Sequence, residues 1–360
     1  MPFDTSGQPL MPPAERGGHG NPRAVASWLL GVAALIWIMV AIGGATRLTG
    51  SGLSIMEWAP LSGALPPLSD AEWRRLYDLY RTIPQYELLN AGFGMEGFKR
   101  IFWLEWIHRA WGRLIGLAYL GGFLFLWWRG AIGRALLPRL GVLFLLGGLQ
   151  GAIGWFMVAS GFQADRTAVS PYRLVLHLGM AFLLFGLILW TALGLLRPQA
   201  QAIAPRQGSV RRQVQAAFWL AALTMLAGGF VAGTRAGFTW NSFPLMDGSL
   251  LPPGAFALDP WWENLTKNLA LVQWNHRLLA TLALLSGIGA GVAAWRRLPA
   301  GFARRAALAF SATLGAQYLL GVATLVHAVP VALGTLHQTV AVGVLAAGLC
   351  AWHALREPRG

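Results

Sequence analysis

The chain has 360 residues, of which 56% are hydrophobic and only 12% are charged, and its net charge is +14. This composition, with a mean hydropathy of +0.52, is typical of a polytopic membrane protein and excludes an ordinary soluble domain. The positive charge does not indicate binding to nucleic acid, because the basic residues gather in alternate loops between apolar segments.

The elements predicted in chain order are an arm and eight membrane-spanning helices. Residues 1–22 are rich in glycine and proline, lack an apolar core, and are expected to form a mobile cytoplasmic arm. The segments that follow are long and apolar enough to cross about 30 Å of hydrocarbon as helices. They are residues 24–46, 101–128, 135–159, 170–196, 213–234, 268–294, 303–327 and 331–354. The predicted fold is therefore an all-α polytopic membrane protein.

The arginines predict the orientation of these helices. Fifteen basic residues but only three acidic ones lie at the two termini and in the loops after the second, fourth and sixth spans. Loops that are rich in lysine and arginine remain on the cytoplasmic side of a membrane. We therefore expect both termini to be cytoplasmic, in a multi-pass protein of the bacterial inner membrane.

An internal repeat relates the two halves of the chain. Four short matches occur in the same order in each half, and they pair residues 44–47 with 232–235, 105–109 with 273–277, 149–153 with 319–323, and His177 with His337. Such a duplication is typical of membrane proteins built from two copies of one bundle. It predicts two pseudo-symmetric four-helix bundles, residues 23–196 and 213–355, joined by a cytoplasmic linker at 197–212. A short tail, residues 356–360, follows.

Four histidines occupy matching positions in this repeat. His108 and His177 lie in the first half, and His276 and His337 lie in the second, each about two turns inside an apolar segment. Buried imidazole is costly in hydrocarbon and usually serves a function there. Neutral imidazole is a common iron ligand, so the two pairs indicate two haem-sized sites. A single histidine of this kind could instead only hydrogen-bond between helices, and zinc is disfavoured because no further ligand joins either pair.

The other histidines and the single cysteine give weaker signals. His19 in the arm and His353 near the end of the last span are expected to be solvated, whereas His327 could be a surface or a pocket residue. Cys350 has no partner for a disulfide, so a packing role is expected.

The two halves differ at one position that bears on reactivity. Glu105 lies one helical turn before His108, and its counterpart before His276 is Gln273. A carboxylate can move protons or stabilise a cationic intermediate, whereas an amide only hydrogen-bonds. This predicts a reactive first half and a resident redox centre in the second. The alternative is that Glu105 only reaches the interface or pairs with Arg109.

Four arginines are candidate contacts for the propionates of haem, since a guanidinium group recognises carboxylates well. They are Arg47, Arg109, Arg235 and Arg277. Snorkelling to the lipid headgroups is the alternative for each of them. The long outer loop 47–100 contains a predicted amphipathic helix at 69–81, which we interpret as a structural cap that could also cover the first site.

Several of these motifs resemble the haem A synthase family. The run from Gly43 to Ser54, the motif Glu105-x-x-His108-Arg109, and the second-half motifs 275–277 and 336–338 carry the resemblance, which extends over nearly all of residues 24–355. It implies an eight-helix enzyme that oxidises the C8 methyl group of haem O to a formyl group and so makes haem A for cytochrome oxidase. Since residues 47–100 lack cysteine, the chain resembles the cysteine-free, proteobacterial and mitochondrial-type branch.

The resemblance also implies a division of roles. His276 and His337 would hold a haem B cofactor, while His108, His177 and Glu105 would belong to the site of the substrate, haem O. It further implies an electron acceptor and an association with the farnesyltransferase that makes haem O. Two other functions remain open from the histidines alone. One is a dihaem cytochrome that only relays electrons, and the other is a haem transporter or chaperone.

Overall fold

The computed structural model describes residues 20–60, 62–198 and 205–356, and most of these residues are helical. The expected arm at 1–22, the middle of the expected linker and the end of the tail lie largely outside the described residues. The α-helices are α1 (Pro22–Leu48), α2 (Asp70–Tyr80), α3 (Gly94–Trp128), α4 (Leu137–Ala159), α5 (Pro171–Leu196), α6 (Pro205–Thr234), α7 (Leu269–Arg297), α8 (Phe302–Val326) and α9 (Val331–Ala354).

All of these helices except α2 are long and apolar enough to cross a membrane, which confirms the eight predicted spans. Local sequence explains several helix starts. The side chains of Asn21 and Asn268 accept hydrogen bonds from the first-turn amides of α1 and α7, and Pro171 begins α5. Two helices begin earlier than predicted. The polar residues 94–100 extend α3, and residues 205–212 of the expected linker belong to α6.

Four inner helices form the centre of the bundle. Helices α1 and α6 each pack against both α5 and α9, and their contacts contain most of the large apolar core. The contact of α1 with α9 corresponds to the contact of α6 with α5 in the repeat. The inner helices are therefore related by pseudo-twofold symmetry, as the repeat predicts.

The outer helices break this symmetry. In the second half α7 packs closely against α6 and α8, whereas in the first half α3 and α4 make few contacts with each other. The surfaces of α3 and α4 instead carry many exposed apolar side chains, including Leu117, Leu124, Phe125, Leu145 and Phe156. The first bundle is consequently more open towards the hydrocarbon than the second.

The long loops form two caps at one end of the bundle. The first cap, residues 49–93, has its own apolar core with the start of α3, and Tyr80 and Phe98 are fully buried in it. The amphipathic helix predicted at 69–81 is present there as α2. The second cap, residues 235–268, is held by Asn264 and Asn268, whose amides donate to loop carbonyls. Both loops are therefore ordered parts of the fold.

A charged cluster on the first cap makes its stability depend on pH. Arg75 donates to both carboxylate oxygens of Glu57 at 2.9 and 2.8 Å and also pairs with Glu72. These hydrogen bonds hold the pKa of both carboxyl groups below the ordinary value of 4.5. Because folding lowers these pKa values, the stabilisation is complete above pH 4.5 and is lost as the pH falls through the lowered values.

We expect Arg75→Leu to accelerate hydrogen exchange in residues 49–93 at pH 7 by about fivefold or less, because the cluster is nearly half exposed and screened by water. Hydrogen exchange followed by mass spectrometry measures this. Well below pH 4.5 the variant and the wild type should become alike. Arg74→Leu, next to it on α2, is the control. Equal exchange in the two variants at pH 7 would contradict the prediction.

Candidate functional site

The structure brings the four histidines together in the pairs that the repeat predicts. His108 on α3 and His177 on α5 lie near each other in the first half, and His276 on α7 and His337 on α9 line the same cavity in the second. Each pair thus joins an outer helix of one half to an inner helix of the same half. All four rings are partly or largely enclosed by helices.

Each imidazole packs against a glycine on a neighbouring helix. A Cβ atom added at Gly154, Gly228 or Gly321 would lie 2.9 Å from Cε1 of His177, His276 or His337, respectively. Real Cβ atoms do not approach this closely, so these rings require glycine. The contact of His108 differs, since a Cβ atom added at Gly43 would lie 3.1 Å from its Nε2 atom. Small residues allow the close helix approach that these rings need.

Hydrogen bonds orient three of the four rings. His276 Nδ1 lies 3.0 Å from the carbonyl oxygen of Thr224. The amide nitrogens of Gln150 and Gln317 lie 3.2 Å from Nδ1 of His177 and His337, and they also donate to the backbone carbonyls of the same histidines. The ring of His108 has no hydrogen-bond partner within 20–60, 62–198 and 205–356. The first half therefore contains one oriented ring and one that is held by packing alone.

These contacts correct the expected register of the repeat in α4 and α8. The match of 149–153 with 319–323 is wrong by three residues, because Gln150 and Gly154 make the contacts that Gln317 and Gly321 make in the second half. The apolar neighbours had suggested the other register. Sequence reasoning also missed both glutamines as site residues, although a glutamine four residues before a glycine in each helix was a usable signal.

A largely apolar cavity encloses the second histidine pair. Helices α6 to α9 supply most of its wall, and α1 and α5 of the first half close it. Its polar lining includes His276, His337, Gln317, Tyr318, Arg235 and Arg47. A planar, mostly apolar ligand with a few polar groups suits such a lining.

The four candidate arginines fall into two groups. Arg109 donates to the carbonyls of Glu57 and Ile55 at 2.7 and 2.6 Å, and Arg277 donates to that of Trp240 at 2.6 Å. Both therefore fasten the caps to the helices. Arg47, Arg235 and Arg277 line the cavity, but only Arg47 and Arg235 have guanidinium groups without a hydrogen-bond or acidic partner in the described part of the chain.

Arg235 also has an unusual backbone. It adopts the left-handed conformation, with φ at 59°, immediately after α6 ends. This conformation is uncommon for residues other than glycine and often marks functional positions. Arg47, its counterpart in the repeat, lies within the last turn of α1. The two arginines therefore reach one cavity from different backbone geometries.

Glu105 is buried and fully engaged in hydrogen bonds. One carboxylate oxygen accepts from Ser54 Oγ at 2.7 Å and from the amide of Ile55 at 2.9 Å, and the other accepts twice from Arg109. Gln273 takes the same place in the second half, where its amide nitrogen donates to the carbonyls of Ala236 and Thr239. The pairing of Glu105 with Arg109, which was the alternative to a reactive role, is thus present, and the carboxylate is fixed in position.

The remaining candidates lie away from both pairs. His327 is exposed and bonds to the carbonyl of Ala323 in its own helix. The expectation that His353 is solvated is wrong. This residue is only 2% exposed, since its ring packs against Trp190 and its Nδ1 atom accepts from Arg356. His19 lies outside the described residues. Cys350 is a half-buried free thiol.

Comparisons with known proteins identify the family of the chain. Residues 26–349 match the sequence family that is described as cytochrome oxidase assembly protein. A protein named haem A synthase from Granulibacter bethesdensis is 52% identical over 336 residues, which cover 93% of this chain and 88% of that protein. Proteins with the same name from Rhodospirillum centenum and Parvibaculum lavamentivorans are 49% and 46% identical, and they align with 94% and 93% of this chain and 90% and 95% of their own lengths.

The family match covers nearly all of the membrane-spanning part of the chain, including both histidine pairs and both caps. The chain therefore belongs to the cytochrome oxidase assembly protein family, in which these relatives are named haem A synthases.

Proposed function

We propose that this chain is a haem A synthase, an oxidoreductase that converts the C8 methyl group of haem O into a formyl group. The observation that carries the proposal is the asymmetry between two equivalent histidine pairs. The second pair lines a cavity between closely packed helices, and both of its rings are hydrogen-bonded. The first pair lies in a more open bundle, and within the described residues the ring of His108 has no hydrogen-bond partner. A fixed cofactor and an exchangeable substrate would need this difference.

The second pair fits a resident haem B. His276 can donate its Nδ1 proton to Thr224, which leaves Nε2 available for iron. Gly228 and Gly321 leave room for the rings of His276 and His337. The guanidinium groups of Arg47 and Arg235, which have no partner among the described residues, suit the two propionates. When bound, haem B would supply a one-electron redox centre. Arg109 suits this role less well because the first cap and Glu105 already use its donors. Arg277 also lines the cavity, but its two terminal nitrogens are used by the second cap and Gln273, and only its Nε lacks a partner within the described residues.

The first pair fits the substrate. Haem O would enter between α3 and α4, where few helix contacts stand in its way, and its farnesyl tail would remain among the exposed apolar side chains. His108 and His177 would bracket its iron. Because the ring of His108 lacks a hydrogen-bond partner in the residues described, it can reorient when substrate enters or product leaves.

The overall chemistry consists of two oxidations. In each, two electrons and one proton leave the carbon of the C8 methyl group, and a hydroxyl group from one water molecule is added while that water releases a second proton, which gives first an alcohol and then a geminal diol. Loss of water from the diol gives the aldehyde.

The electrons pass to an acceptor in or at the membrane, which is a partner of the enzyme. We also propose the farnesyltransferase that makes haem O as a partner, and an inner-membrane location with both termini in the cytoplasm.

Glu105 would act through a fixed charge. With Arg109, Ser54 and the amide of Ile55 around it, the carboxylate is held one turn from His108. Preorganised groups of this kind stabilise charge that develops during a reaction. We therefore assign Glu105 the stabilisation of the electron-poor methylene carbon and the guidance of the departing protons.

The proposal predicts which porphyrin each pair holds. After co-expression with a source of haem O, the wild type should contain haem B together with haem O or haem A. His276→Ala and His337→Ala should lose haem B, because each removes an iron ligand. His108→Ala and His177→Ala should retain haem B but make no haem A. Extraction of the porphyrins and their identification by mass spectrometry measure this.

The alternatives give different porphyrins. A dihaem electron relay would contain two haem B groups and no modified porphyrin, and a haem transporter would release haem O unchanged. Either result from correctly folded wild-type protein would overturn the proposal.

Glu105→Gln should lower the formation of haem A by roughly 100- to 1,000-fold, which is typical for removal of one preorganised electrostatic group. The haem B content should not change. Ser54→Ala is the matched comparison, since it removes one hydrogen bond from the first cap but leaves the carboxylate paired with Arg109. Equal losses in the two variants would show that Glu105 serves the cap and not the reaction.

Gly321→Ala should reduce the retention of haem B by about tenfold or more, because its Cβ would lie 2.9 Å from the ring of His337 and overpacking costs roughly 1–3 kcal/mol. Gly315→Ala on the same helix meets no atom within 4 Å and is the control. The measurement is the ratio of haem B to protein after purification. Equal retention in both variants would contradict the fit of the ring against glycine.

A further inference from the structure

We infer that Gln150 and Gln317 are positioning residues that set the strength of His177 and His337 as iron ligands. This inference rests on the proposed haem sites and adds to them a second layer of residues. The two glutamines occupy equivalent places on α4 and α8, one helix away from the ring that each contacts. Neither was expected from the sequence to have a role.

The first argument is the contact itself. Each amide nitrogen lies 3.2 Å from Nδ1 of its histidine and 3.0–3.1 Å from the carbonyl oxygen of the same residue. The amide is thus tied to both the ring and the backbone of one residue. A side chain placed in this way restricts rotation of the imidazole.

The second argument is an unpaired atom. Oε1 of Gln150 and Oε1 of Gln317 are both buried, and neither has a hydrogen-bond partner among the residues that the structure describes. A buried carbonyl without a partner costs about 1–3 kcal/mol. Its occurrence at two equivalent sites indicates that this acceptor has a use when the sites are filled.

Iron ligation supplies that use. A histidine that binds iron through Nε2 carries its proton on Nδ1 and needs an acceptor there. Rotation of the glutamine amide by half a turn exchanges its nitrogen and oxygen, so that Oε1 accepts from Nδ1. The rotation gives up the hydrogen bond from the amide nitrogen to the backbone carbonyl of the histidine, and the bond from Nδ1 to Oε1 replaces it. The same glutamine can therefore serve the empty and the ligated ring.

Each of the three histidines with a hydrogen-bond partner at Nδ1 would have a neutral acceptor there, either a glutamine amide or a backbone carbonyl. Gln317 would support His337 and the carbonyl of Thr224 would support His276, whereas a carboxylate would give the ligand imidazolate character and favour ferric iron. In the first half only His177 has such support. His108 is then the weaker ligand and the one that releases first when haem exchanges.

The test compares Gln317→Glu and Gln317→Leu in full-length protein that is loaded with haem during expression. The readouts are the midpoint potential of the resident haem and its low-spin electron paramagnetic resonance spectrum. Gln317→Glu should lower the potential because a carboxylate strengthens the ligand. Gln317→Leu should raise the potential and reduce haem retention roughly 10- to 100-fold, as is usual when a supporting residue is lost.

The duplicated site provides matched controls. Gln150→Glu and Gln150→Leu should leave the potential of the resident haem unchanged and alter only the occupancy of haem O. Gln213→Glu, an exposed position on α6, should change neither. A wild-type potential and spectrum in both Gln317 variants would overturn the inference, provided that the haem remains bound by two histidines. Wild-type protein without any histidine-ligated haem would instead overturn the proposed function.

Discussion

The close contact between each imidazole and a helical glycine is the constraint on which both sites depend. A ring can enter the space between two membrane helices only where the facing residue has no side chain, and the structure meets this condition at all four histidines. The contact fixes how near the helices approach and at which height each ring lies. In three cases the added Cβ would meet the same atom, Cε1, at the same distance of 2.9 Å. Duplication of a whole bundle copies a histidine together with the helix that it faces, so the contact between ring and glycine can recur in both halves.

Helix α1 connects the two sites physically. Gly43 faces the ring of His108, while the next residue, Gly44, faces the side chain of Gln338, which follows His337 in the second half. Gln338 also donates to the carbonyl of Val40, one turn earlier in α1. At the end of the same helix Arg47 enters the second cavity. A displacement of α1 would therefore reach both histidine pairs at once. Helix α1 thus forms part of both sites, and the two halves are best treated as one functional unit.

The sequence predicted the spans and the histidine pairs because both depend on signals within single segments. Apolar length defines a membrane helix, and a histidine within it is conspicuous. The burial of His353 was not predicted, since its ring packs against Trp190 on α5, which is distant in sequence and marked by no pattern. The register of α4 against α8 failed for a related reason. Apolar residues match one another in several registers, and only the contact of Gln150 and Gln317 with the rings distinguishes them.

The exchange of Glu105 for Gln273 has a consequence for the caps. At position 105 the side chain accepts hydrogen bonds from Ser54 and from a backbone amide, and at position 273 it donates to two backbone carbonyls. The polarity of the cap contact is therefore reversed between the halves, although both arginines one turn later bind the side chain in the same way. A buried polar group must find a complementary partner. The carboxylate and the loop that faces it must consequently have diverged together, so the negative charge at Glu105 is built into the first cap as a whole.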